Sequence, residues 1–97
     1  MPKPKLSSER RKVVNDVIRV FTDGNLTAVL ATREHIANLS PEQQATVFVM
    51  MLIGRGDEPP GRLDDAIEYY TGTERAADYL SEKPLAKYLM NGLERFD

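Results

Sequence analysis

Ser40-Pro41-Glu42-Gln43-Gln44-Ala45-Thr46-Val47-Phe48-Val49-Met50-Met51-Leu52-Ile53 is the stretch on which the fold turns. Its first four residues spell a helix start. Ser stands at the N-cap, Pro at the first helical position where its missing N–H is harmless, an acid near the positive helix end, and Gln where it can bond back to the cap. After Thr46 the run is apolar on every side, and a helix apolar all round is buried all round. Val, Phe and Ile would also suit a buried strand, but the cap and the polar first turn decide for helix. The spacing predicts a central buried helix over about residues 40–54, with Gly54 as its C′ residue and Glu58-Pro59-Pro60-Gly61 as a rigid turn after it.

Helical signals continue on both sides. Upstream, Ser7 and Ser8 are candidate N-caps for an amphipathic helix carrying Val13, Val14, Val17, Ile18 and Phe21 on one face and ending near Asp23-Gly24-Asn25. Leu26 to Ala31 reads as helix or ordered apolar connection, since no second convincing strand exists to pair with it, and Thr32 is a candidate cap for a short helix turning Ile36 and Leu39 inward. Downstream, Leu63, Ala66, Ile67 and Tyr70 recur at helical spacing, with Asp64, Asp65 and Glu68 on the wet side. Thr73 is a candidate cap for a helix with Ala76, Ala77, Tyr79 and Leu80, and Pro84 opens a last helix with Leu85, Tyr88, Leu89, Gly92, Leu93 and Phe96 in one stripe. Gly92 on that stripe lets another helix approach closely, at about 1 kcal/mol of helix propensity relative to alanine. The expected fold is all-α: a compact bundle of five or six short helices around the central one. Residues 1–6 read as a flexible basic tail and residues 7–97 as a single helical domain.

Composition removes whole classes of chemistry. The 97 residues are one domain's worth, and 41% hydrophobic with 29% charged residues is the balance of an ordinary globular chain. Zero cysteines leave no disulfide, thiol nucleophile or thiolate metal site, and there is one histidine. No apolar run is long enough to span a bilayer and no signal-like segment opens the chain, so the expected address is the cytoplasm.

Charge is uneven, with a net of +4 over Met1 to Arg33 and −6 from Glu34 onward. Arg10, Arg11 and Lys12 are the candidate contacts should the first helix meet nucleic acid. The lack of any aromatic in the first twenty residues and the acidic remainder both argue against that use.

Several of these motifs in order resemble a known family. Leu39-Ser40-Pro41-Glu42-Gln43-Gln44, then Ile53-Gly54-Arg55-Gly56-Asp57, then Ala77-Asp78-Tyr79-Leu80, Pro84-Leu85-Ala86-Lys87-Tyr88-Leu89 and Gly92-Leu93 resemble an uncharacterised family of small bacterial proteins known only as a domain of unknown function. The resemblance covers about Thr32 to Leu93. It implies a bacterial, intracellular helical domain and supplies no activity; the Trp usual in the family's buried helix is replaced here by Leu52.

Gly54-Arg55-Gly56-Asp57 is the motif most open to a functional reading. A tight turn there would present a guanidinium fork from Arg55 and a carboxylate from Asp57 to one partner; the simpler reading is that the glycines end a helix while the two side chains pair with each other. It lacks the spacing and the Lys-Ser/Thr of a phosphate loop. His35 has no orienting partner in sequence and reads as an exposed or locally satisfied helix residue. Asp64 and Glu68 lack the ligand set of a calcium loop. Tyr69, Tyr70, Tyr79 and Tyr88 read as a rim to the core or, if grouped and exposed, as a binding surface. No catalytic constellation, metal site or cofactor is expected. The expected function is a non-enzymatic protein-interaction module, through the Arg55–Asp57 turn or the acidic helix face, with an unidentified protein partner. Nucleic-acid association and small-ligand binding are the alternatives. A homodimer would cover whatever of the all-apolar helix five short neighbours leave bare.

Overall fold

Ser40 and Gly56 bracket the helix that organises the molecule. In the computed structural model, which describes residues 3–22, 28–72, 80 and 84–97, the Ser40 hydroxyl accepts from the Gln43 N–H (3.1 Å) and Gln43 Oε1 accepts from the Ser40 N–H (3.0 Å), a complete capping box. The helix runs from Pro41 to Arg55. Among the described residues there are five α-helices and no strand: α1 (Ser8–Thr22), α2 (Ala28–Ala37), α3 (Pro41–Arg55), α4 (Leu63–Tyr70) and α5 (Leu85–Leu93), with a 3₁₀ turn at Pro60–Arg62 leading into α4. The bundle read from the sequence is the fold. Its Cα radius of gyration, 12.4 Å, is that of a compact chain of this length.

The central helix is covered within one chain. Val47, Val49, Met50, Met51 and Ile53 of α3 are shut from solvent, and Phe48 and Leu52 pack against the core from its edge. α1, α4 and α5 are the helices packed against it.

The α3–α5 crossing depends on two glycines. A Cβ on Gly54 would overlap the Tyr88 carbonyl, and one on Gly92 would stand 2.5 Å from the Met50 carbonyl oxygen, so the backbones meet where only hydrogen fits. Gly92 thus has the close-packing role its place on the stripe predicts.

Gly54 does not have the role predicted for it. It lies inside α3, and the residue that ends the helix is Gly56, at φ 86°. Gly56 N–H donates to Ile53 O (3.0 Å) and Asp57 N–H to Leu52 O (2.9 Å), the paired bonds of a Schellman motif. Of two glycines two residues apart, one is spent on packing and the other on the left-handed turn.

The beginning of the chain also departs from its sequence reading. Ser7 caps α1, accepting from Arg10 N–H (3.2 Å), and Val14 and Val17 point inward. Leu6, placed in the tail by the sequence, is buried in the core, and Pro4 O accepts from Asp97 N–H (2.9 Å). α2 starts at Ala28, so Ala28 to Ala31 is helix and Thr32 is an interior residue with no solvent exposure, not a cap. Ile36 is buried and Leu39 half-buried, as expected. The expected end of α1 at Asp23-Gly24-Asn25 and the helix around Thr73, Ala76, Ala77 and Tyr79 lie outside the described residues.

Candidate functional site

α4 is short, and its two faces are sharply divided. Leu63, Ala66 and Ile67 are buried and Tyr70 half-buried, while Asp64, Asp65, Glu68 and Tyr69 are exposed, which is the amphipathic split the sequence predicts. Asp64 and Asp65 lie in the first turn, where the positive helix end favours acids. Tyr69 is 80% exposed, the most open large apolar side chain among the described residues. It is nonetheless held in place: its ring meets that of Tyr70 edge-on at 4.9 Å, and Tyr70 in turn lies 4.8 Å from Phe48 of α3. An aromatic chain thus runs from the core to the surface.

A cleft flanks α4 on each side. One, of about 450 Å³, is lined by Arg10, Glu42, Asp64, Ile67, Glu68 and Thr71, and so lies between α4 and the starts of α1 and α3. The other, of about 340 Å³, is lined by Glu58, Arg62, Asp65, Ala66, Tyr69 and Tyr70. Each has one arginine of the chain at its edge: Arg10 is ion-paired with Asp64, and Arg62 Nε lies 3.7 Å from Glu58. Glu42, Glu68 and Asp65 have no cation against them among the described residues. Arg10 and Glu42 also line a third cleft, of about 390 Å³, with Ser7, Glu9 and Ser40.

The Arg55–Asp57 turn is largely accounted for by its own contacts. Arg55 Nε lies 3.1 Å from Asp57 Oδ2, its guanidinium stands 5.7 Å from the Tyr88 ring centroid, and Nη1 is 3.7 Å from Met51 Sδ. The guanidinium and the carboxylate face each other.

The basic residues of α1 are similarly engaged. Arg10 pairs with Asp64, Arg11 Nη2 donates to the Asp97 carbonyl (2.8 Å), and Lys12 Nζ donates to Asp16 (2.9 Å). Together with Arg19, 2.8 Å from the other Asp16 oxygen, Lys12 holds the Asp16 carboxyl below its ordinary value; the Lys12 hydrogen bond contributes most, and the charges of Lys12, Arg19 and His35 act in the same sense.

His35 is neither exposed nor locally satisfied. It is half-buried, and its Nε2, like Thr32 Oγ1, is shielded from solvent without a hydrogen-bond partner. No local signal marks this pair of orphan groups, because their burial depends on how α2 docks. Among the described residues no three His, Cys, Asp or Glu side chains stand together as metal ligands, and no helix is long and apolar enough to cross a membrane.

A family model described as a protein of unknown function (DUF3775) matches residues 30–97, from the third residue of α2 to the end of the chain. No curated protein and no solved structure matches.

Proposed function

The chain belongs to the DUF3775 family, and we propose that it is a non-enzymatic protein-interaction module whose recognition surface is the outer face of α4. The observation that carries this reading is Tyr69, 80% exposed and held by Tyr70 on a helix face flanked by two clefts. Tyrosine is enriched at interfaces because it brings a large apolar area with a polar tip at little cost in conformational freedom. The Arg55–Asp57 turn is the weaker candidate, since its two charges already face each other. The fitting setting is the bacterial cytoplasm, where a chain without cysteine loses nothing to a reducing milieu.

The test is co-purification from lysate of the source cell with wild type, Tyr69→Ala and the Arg55→Ala/Asp57→Ala double variant, each checked for folding by circular dichroism. One discrete protein should be retained by wild type and by the turn variant and lost with Tyr69→Ala. Retention by Tyr69→Ala with loss in the turn variant would overturn the assignment.

A further inference from the structure

We infer that the α4 face takes a basic segment of a partner chain, with Tyr69 between the two clefts as its aromatic anchor and Glu68 and Asp65 receiving one cation on each flank. This rests on α4 being the recognition surface and adds the chemistry of what it recognises. The first support is charge. Three carboxylates against one arginine line the cleft beside Asp64, and two against one line the cleft beside Asp65, so both remain acidic after internal pairing. The second is that each cleft already holds a guanidinium on a carboxylate, Arg10 on Asp64 and Arg62 on Glu58, so the walls accept this group sterically. The third is Tyr69 itself. A phenol ring 80% exposed and in T-shaped contact with Tyr70 is open to an arriving Lys or Arg, an attraction that adds to the carboxylate contacts. Apolar floor is present on both sides, Ile67 under one cleft and Ala66 under the other, against which the aliphatic stems of those side chains can lie.

Geometry narrows the partner further. Asp64, Glu68 and Thr71 follow one flank of α4 at helical spacing, and Asp65 and Tyr69 follow the other. A helix with its side chains is roughly 10 Å across, so an extended chain crossing α4 reaches both flanks with basic residues about three positions apart. Arg10 is then the occupant to be displaced: it is the chain's own cation in the first cleft, and removing it leaves Asp64 for the partner.

The test uses the full chain and a fluorescein-labelled twelve-residue peptide with arginine at every third position and alanine and glycine between. Binding is read by fluorescence anisotropy at low and high salt. Wild type should bind the peptide in a salt-sensitive way and leave a glutamate counterpart and a labelled DNA duplex unbound. Asp65→Asn/Glu68→Gln should weaken binding about fivefold or more, and Tyr69→Ala about threefold. Arg10→Met, which keeps the aliphatic packing, should strengthen it about threefold. Glu34→Gln/Glu94→Gln changes the net charge by the same amount elsewhere on the surface and should leave it unchanged. No binding, or equal weakening by both double variants, would overturn the inference. If the peptide result is negative while the co-purified protein still requires Tyr69, the basic partner is wrong and the α4 surface stands; if the co-purified protein ignores Tyr69, the surface itself is wrong.

Discussion

Thr32 Oγ1 is fully buried with nothing to bond to, and an unpartnered hydroxyl in a core is a cost without a return. Thr32→Val keeps the shape and removes the orphan. It should raise stability by about 1 kcal/mol, read as a higher urea midpoint at unchanged slope; a lower midpoint would mean the hydroxyl has a partner after all. The glycines separate in the same way. Gly54→Ala drives a methyl into the Tyr88 carbonyl and should cost about 2–3 kcal/mol, whereas Gly56→Ala meets no atom and should cost about 1 kcal/mol, from its φ of 86° alone. Equal costs would contradict the division of labour between them. In the sequence these two residues look alike. Which one packs and which one turns is decided by Tyr88, more than thirty positions away, and no local signal carries that. Asp16 adds a pH dependence. Its folded carboxyl is held below the ordinary 3.8, so its stabilising pairs with Lys12 and Arg19 are complete above that value and are lost as the pH falls through the lower folded one. Asp16→Asn should therefore lower stability slightly near neutrality, and its difference from wild type should vanish as the pH falls below the folded carboxyl's range, read as two urea-midpoint curves that converge in acid.

At the scale of elements, α3 was legible because its start is written in four consecutive residues, Ser40 to Gln43, and its burial in the apolar run from Val47 to Ile53. Ser40→Ala should remove about 1 kcal/mol, measurable by denaturant unfolding, since it deletes the oxygen that accepts from Gln43. α4 was legible from its apolar periodicity and its acids. α2 was not. Leu26 to Ala31 is short and apolar enough to pass for a strand or a connection, which hides the start at Ala28, and Thr32 resembles a cap by residue type while serving as a buried interior position. The clefts beside α4 were beyond sequence reasoning for a different reason. One of them is lined by Arg10 of α1, which meets Asp64 across 54 residues of chain, a contact set by how the first helix lies across the bundle.

Across the whole molecule, one chain covers its own central helix, and two of the charge sets open to a recognition reading in the sequence, the basic residues of α1 and the Arg55–Asp57 turn, are paired within the fold. Arg10, Arg11 and Lys12 have acceptors on α4, on the last residue and on α1, and Arg55 faces Asp57. Surface pairs of this kind are weak, so they steer the assignment without locking it. The α4 face is presented outward, with Tyr69 raised between two acidic clefts. The most direct test is photo-crosslinking in the source cell, with benzoylphenylalanine placed at position 69 in one strain and at position 57 in another. Recognition through α4 should give one adduct of discrete mass at position 69 and none at position 57. A discrete adduct at position 57 and none at 69 would contradict this and move recognition to the Gly56 turn.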